Sequence, residues 1–476
     1  MTELRLARLP RAQAALVRVA AALAPPGTVL VGGTVRDAVV GRSPVDVDLA
    51  VPAGAIALAR RCAERLGGSC VVLDAERGAA RAIANGLTLD AADFRAPTLE
   101  ADLAARDFTV NALAVALAAL ARRGRAAIID PTGGLADLRA RRLRPAGPGV
   151  LDDDPLRTLR AVRLEAALGL RLTAAGATAV RAAAAGLARV SAERVRDEML
   201  ALLAMADSAR ALRRADALRV LSVVLPEIEP MRATTQPPPH RFGVLEHSLR
   251  AVAGCDRLLP RLGSLTPYGE ELSGHMAEPL GGGLTRAATL KLAALLHDVS
   301  KPETRRRVRG RVRFFEHDVI GAGRARAIGE RLKLPERAIA VVERLVRHHL
   351  RPMHLASAAA ITPRARYRFY RDLREDTRDL LLLVLVDAAA VTGASPVTTW
   401  RRAPLVRELM HGWAEQRAVA ATPPLVRGQD VMARFRLEPG PRVGWLLAQA
   451  REAQDLGRVA NREEALAYLD SLIAGP

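Results

Sequence analysis

Histidine is missing from the first half of this chain: all nine lie at or beyond His240. Metal chemistry before that point must use carboxylates, whereas the later residues can offer imidazoles, so the two halves should prefer different ions. Cysteine is nearly absent. Cys62, Cys70 and Cys255 are odd in number and lack thiolate-metal spacing, which excludes a disulfide scaffold and points to buried thiols in a reducing, cytoplasmic setting. Aromatics make up only 3% of the 476 residues, so Ala and Leu must build the cores, and that composition leans helical. No uncharged run reaches the roughly 18–20 residues a membrane span needs. Arg5, Arg8 and Arg11 interrupt any early apolar segment, which argues against a signal peptide.

Lysine is scarce as well. Lys291, Lys301 and Lys333 are the only three, so the net charge of +20 comes from arginine. A charge of that size implies an anionic partner, and nucleic acid is the natural one. Residues 1–137 are nearly neutral, with 16 basic against 14 acidic side chains, while 231–476 carry 39 against 26. The excess therefore lies behind the front segment.

The length calls for several cores. Residues 1–137 read as a small α/β unit: a helix over 10–24, a strand at 28–33, a helix at 34–41 and a strand at 46–51. A helix near 53–66, strands near 69–73 and 81–94, and a helix through DFTVNALAVALAALA (107–121) complete it. Residues 138–233 read as a helical neck and body. The prolines of TTQPPPH (234–240) mark a linker, 240–400 are helical with a surface loop at 263–283, and 401–476 form a helical tail.

Two features of the front half carry chemistry. Gly32 and Gly33 end a strand and open a helix, where free N–H groups and absent side chains let a phosphate approach. Asp46 and Asp48 alternate with Val45, Val47 and Leu49, which puts both carboxylates on one side of a strand about 7 Å apart. Such a pair needs a cation, and Mg²⁺ takes one or two carboxylates together with substrate phosphate oxygens.

GGTVRD, DVD, RDFTVNALA (106–114), DPTGGLADL (130–138), DDPLRTLRAVR (153–163) and SAERVRDE (191–198) stand in the order of motifs in the bacterial tRNA nucleotidyltransferase and poly(A) polymerase family, which the chain resembles over most of 28–200. The resemblance implies an α+β protein: a polymerase-β-type nucleotidyltransferase head, then an all-α neck and body. It also implies that Asp46 and Asp48 hold catalytic Mg²⁺, that Gly32, Gly33 and Arg36 meet the nucleotide, and that Arg106 and Asp107 lie near its sugar and phosphates. Ala105 stands where the family usually has a further arginine. By itself, Asp154 three residues before Arg157 reads as an N-terminal acid and an intrahelical ion pair. The resemblance makes this pair a mimic of a template base that accepts C or A and refuses G and U. It places Arg160 and Arg163 on the same face, against nucleotide or primer phosphate. The implied partners are tRNA, CTP and ATP. Only Ala96-Pro97-Thr98 separate DFR (93–95) from LEADLAARDFT, too few for the flexible loop of full CCA-adding relatives, so the expected reaction is addition of CC. Full CCA addition, poly(A) polymerase, and a protein that is mainly a hydrolase are the alternatives.

In the rear half, His247, His297, Asp298 and Asp387 interrupt otherwise apolar helical patterns. An adjacent His-Asp pair on a hydrophobic helix needs a cation, and mixed ligands suit Mn²⁺, Ni²⁺, Zn²⁺ or iron. The set resembles the HD superfamily of metal-dependent phosphohydrolases over about 240–400. Lys301 matches a common following lysine, and His317 with His348 or His349 are implied as ligands of a second metal or of substrate phosphate. KPETRRRVRGRVR (301–313) reads equally as a solvated face or hairpin and as a contact for an RNA backbone.

Overall fold

The structure, a computed structural model, describes residues 2–358, 360–420 and 423–474, with side chains left out at 416–420 and 474. The chain forms two compact units: Met1–Met199 with Arg213–Val224, and Leu200–Leu212 with Leu225–Pro476.

The first unit is built on strands β1 (Glu3–Arg5), β2 (Val29–Val31), β3 (Val47–Val51), β4 (Ser69–Asp74), β5 (Ala79–Ala84), β6 (Leu87–Asp93), β7 (Ala114–Ala116) and β8 (Arg125–Ile129). Their order in one sheet is β1-β8-β7-β2-β3-β6-β5-β4, antiparallel except for the parallel β3–β6 pair. Strand alternation sorts the two faces. Leu30, Val47, Leu49 and Leu89 join the core beneath helices Arg11–Leu23 and Ala55–Leu66, whereas Val29, Val31 and Ala50 pack with Leu103 of helix Leu99–Ala104. Asp48 and Asp90, in register on β3 and β6, fall on this second face. Behind the sheet, helices Leu156–Leu168, Ala174–Ala183 and Ala192–Leu203 carry the neck.

One expected element is overturned. Residues 107–121 are not a helix: Thr109–Asn111 make a 3₁₀ turn, Ala114–Ala116 is β7, and only Leu117–Arg123 is helical. The alanines favour a helix, but Ala114 and Val115 are fully buried between Val31/Leu30 and Ile129/Ile128, and sheet pairing outweighs propensity.

The second unit is helical. Helices Val244–Leu258, Arg286–Leu296, His317–Arg331, Glu336–His348 and Thr377–Thr392 enclose a Leu/Val/Ala core. The stretch 263–283 is more than a surface loop, since it contains helix Gly269–Ala277 with Leu272, His275 and Met276 buried at i, i+3, i+4. His275 Nε2 lies 2.6 Å from Asp379, itself 3.0 Å from Arg286, so flanking glycines and prolines hid a structural histidine. Helices Gly428–Phe435, Pro441–Asp455 and Arg462–Ala474 close a separate small core around Val431, Leu446 and Leu469. No single helix among the described residues is long and apolar enough to cross a membrane.

Candidate functional site

β2 ends at a backbone that only glycine suits: Gly32 has φ +66. A Cβ there would stand 3.4 Å from Asp48 Oδ2 and 3.5 Å from Arg106 Nη1, and one on Gly33 would stand 3.4 Å from Asp48 Oδ2 and 3.5 Å from Arg36 Nη2. Gly32, Gly33, Arg36, Asp48 and Arg106 thus share one small space. Asp46 precedes β3 by one residue, on the same side as Asp48. Burial, then the nearby Asp90 carboxylate, pushes both Asp46 and Asp48 above the ordinary aspartate value. Crowded oxygen-only carboxylates in that condition fit a hard divalent cation. Asp90 is held by Arg81 through two 2.7 Å bonds, so it contributes charge while its oxygens are already engaged. Thr34, 1% exposed, accepts from the Asp48 N–H at 2.8 Å, and its hydroxyl lies 3.1 Å from the Asp46 carbonyl and 3.3 Å from Asp48 Oδ2.

A polar chain runs from the glycine turn to the neck. Arg36 donates to Asp37 (2.8 Å) and to Asn111 (2.6 Å), Asn111 donates to Asp107 (3.0 Å), and Arg160 donates to Asp107 (3.4 Å) and Glu198 (3.0 Å). Arg163 donates to the other Glu198 oxygen at 2.6 Å. Burial works to raise Asp107, but Arg160, Asn111 and the Phe108 N–H outweigh it and leave this carboxyl below the ordinary value. Arg160 and Arg163 are therefore oriented by a buried carboxylate that sequence reading left without a role, although SAERVRDE contains it. Arg106 is oriented likewise by buried Asp102, at 3.2 Å, whose other oxygen caps the Arg95 N–H at 2.9 Å. Burial and the guanidiniums of Arg106 and Arg157 depress Arg95. Positive charge is thus gathered beside the glycine turn, and Arg95 was legible only as the last letter of DFR.

Asp154 and Arg157 come together loosely, 4.0 Å apart. Arg157 is 7% exposed and donates to the carbonyls of Ala105 (3.0 Å) and Val150 (2.9 Å), while Asp154 receives Arg194 at 2.7 Å. Each member of the pair is thus oriented by a third group. The stretch between β6 and helix Leu99–Ala104 is five residues, and Thr98 caps that helix by accepting from Ala101 N–H.

The rear site gathers six side chains. His247 Nε2 lies 2.9 Å from Asp387 and 3.3 Å from His297 Nε2, and Asp298 Oδ2 lies 3.3 Å from His297. Asp298 Oδ1 lies 3.5 Å from His317 Nε2 and 3.7 Å from His349 Nε2. Two trios result, His247/His297/Asp387 and Asp298/His317/His349, with Asp298 between them. His297, His317 and His349 each turn Nδ1 to the carbonyl three residues back, at 2.7–2.9 Å, which turns Nε2 toward the cluster. Burial depresses His297, but Asp298 and Asp387 reverse this and lift it to about 9. Among the described residues, buried Asp298 Oδ1 and His317 Nε2 have no hydrogen-bond partner, which fits atoms able to ligate a metal. His349 belongs to the cluster. His348 does not, and burial followed by Arg351 pushes it down to about 4. Lys301 donates to Asp298 at 2.6 Å.

Residues 28–144 match the Poly A polymerase head domain, 169–232 the probable RNA- and SrmB-binding site of polymerase A, and 244–390 the HD domain. The A-adding tRNA nucleotidyltransferase of Deinococcus radiodurans is 38% identical over 94% of this chain and 95% of its own. The CC-adding tRNA nucleotidyltransferase of Thermus thermophilus is 35% identical over 92% of each. A solved CCA-adding enzyme in complex with ATP shares the fold at a TM-score of 0.63 and 19% identity, covering 100% of this chain and 99% of that one. The head motifs, the HD cluster and near-complete alignment with these relatives lead to one conclusion: the chain belongs to the tRNA nucleotidyltransferase family.

Proposed function

We propose that this enzyme adds two cytidylates to the 3′ end of tRNA and leaves the terminal adenosine to another enzyme. The five-residue connection between β6 and helix Leu99–Ala104 carries this reading, because it leaves no segment long enough to reshape the pocket from C to A. Asp46 and Asp48 would hold Mg²⁺, which supplies charge neutralisation and Lewis acidity at the triphosphate. The chain's own groups do the rest. Gly32 and Gly33 open room for phosphate, Arg36, Arg95 and Arg106 balance its charge, Asp102 holds the Arg106 head, and Asp107 holds the Arg36 head through Asn111. Asp154 accepts from the cytosine amino group and Arg157 donates to the adjoining ring nitrogen and carbonyl. The tRNA 3′ oxygen forms a bond to the α-phosphorus of CTP as the bond to pyrophosphate breaks.

In the second unit, the His/Asp trios would hold transition-metal ions such as Mn²⁺ or Ni²⁺ and support hydrolysis of phosphoesters. The unpartnered Asp298 Oδ1 and His317 Nε2 carry that part.

The test of polymerisation uses tRNA transcripts that lack CCA or end in CC, incubated with Mg²⁺ and CTP, ATP or both. Two additions from CTP, with none on the CC-ended tRNA, are expected. One adenylate added to the CC end would overturn the specificity, and a long ladder from ATP on unrelated RNA would indicate a poly(A) polymerase.

A further inference from the structure

One charged element is absorbed by neither activity. Strands Arg305–Val308 and Arg311–Phe314 form a hairpin closed by Arg309-Gly310, both at positive φ (48 and 76) as a tight two-residue turn requires. It carries Arg305, Arg306, Arg307, Arg309, Arg311 and Arg313, all exposed, and no acid. The acids nearest its start are already taken: Glu303 by Arg324 at 2.8 Å and Asp298 by Lys301. Arg306 donates to the carbonyls of Glu303 and Arg305. Among the described residues none of the six makes an ion pair with a carboxylate. Arg306 and Arg313 stand directly opposite each other, an arrangement that repels unless an anion lies between or beside them.

Both ends of the hairpin adjoin the metal-ligand cluster. It leaves helix Lys301–Thr304, whose Lys301 holds Asp298. It returns through Phe314, whose carbonyl accepts from His317 Nδ1 at 2.9 Å and whose ring centre lies 6.4 Å from that of His317 and 5.5 Å from Lys301 Nζ. From Phe314, the strand carries Arg311 about 10 Å outward. A mononucleotide phosphate held in the cluster cannot touch the outer arginines. A chain of phosphates can. The cluster itself is deeply buried, with only Asp387 substantially open at 27%, so what enters it must be narrow.

We propose that this hairpin binds the sugar–phosphate backbone of single-stranded RNA and delivers its end to the His/Asp cluster, which therefore turns over phosphorylated RNA termini in preference to free mononucleotides. The assignment rests on the reading of the cluster as a phosphoester hydrolase. For a 3′-terminal phosphate, the oxygen of water bonds to phosphorus and the ribose O–P bond breaks. One water proton ends on the ribose oxygen and the other stays on inorganic phosphate.

The experiment compares the full-length wild type with the variant Arg306→Gln/Arg307→Gln/Arg311→Gln/Arg313→Gln. With Mn²⁺ present, release of phosphate is measured from a short single-stranded RNA bearing a 3′-phosphate, the same sequence as DNA, and 3′-CMP. In a second arm, with EDTA and no metal, trypsin cleavage at the hairpin arginines is followed with and without the RNA. The expected result is that the variant loses roughly tenfold or more in kcat/KM on the RNA and nothing on 3′-CMP or in CTP addition to tRNA. The RNA should also protect the wild-type hairpin from trypsin, whereas 3′-CMP should not. Equal loss on all substrates, no loss on any, or an unprotected hairpin would overturn the hairpin's role and leave the hydrolase reading standing. No phosphate release from any substrate would overturn the hydrolase reading and the substrate assignment with it. Equal turnover and protection with DNA would overturn the commitment to RNA.

Discussion

Thr34 offers the sharpest test of how the head orients its carboxylates. Its hydroxyl is buried, accepts the Asp48 N–H at 2.8 Å and reaches toward the Asp46 carbonyl and Asp48 Oδ2. Thr34→Val keeps the shape and removes both roles. The Asp48 N–H is then buried without a partner, at a cost of about 1–3 kcal/mol. For a unit of this size that is a fall in Tm on the order of 5 °C. Loss of a partner that orients metal ligands typically weakens metal affinity or activity by about 10–100-fold. The assay is single-nucleotide incorporation of CTP as a function of Mg²⁺, with Tm by calorimetry. The expected outcome is a higher Mg²⁺ requirement and slower addition with the KM for tRNA unchanged, and Thr34→Ser should restore most of both. An unchanged Mg²⁺ dependence in Thr34→Val, or a Ser variant as impaired as the Val variant, would refute the reasoning.

Four further outcomes are expected. Burial and Asp90 raise Asp48, and Arg106 is the leading group opposing them, so Arg106→Gln should raise Asp48 further. Activity needs the ionised carboxylate, so the rate should fall away at a higher pH in this variant than in wild type, read from kcat/KM profiles. Glu198→Gln removes the charge that holds Arg160 and Arg163. With both arginines about a third exposed, screening leaves a loss of about 1–2 kcal/mol, and slower CTP addition should accompany the lower Tm. Arg157→Ala should admit UTP or GTP, with discrimination falling by about 1–3 kcal/mol in competition assays. Mn²⁺ at about a hundred times its Kd should stabilise the second unit by about 2.7 kcal/mol per site, an effect reduced in Asp298→Asn and His349→Ala but kept in His348→Ala.

Local chemistry was readable from the chain alone. Two aspartates at i and i+2 on an alternating strand and a His-Asp pair within an apolar run point to a cation, because crowded or buried charges need a counter-charge, and a glycine pair at a strand–helix junction leaves room for a phosphate. The family resemblance set these motifs in order, and a hairpin was one of the readings of the arginine run 301–313. Choices between neighbours and between distant partners were not readable. That Asp90 stands beside Asp48 depends on the register of β3 against β6. The selection of His349 over His348 depends on which face of the preceding helix turns inward. Glu198, Asp102 and His275 look like ordinary surface polar residues in one dimension, and each becomes a buried keystone only when packing removes it from water. The alanine-rich residues 107–121 carried a strong helical preference, yet burial between two strands made part of them a strand. Short-range stereochemistry and charge act through adjacent residues and can be read in order, whereas burial and register exist only after remote segments meet, and those were decided by the tertiary structure.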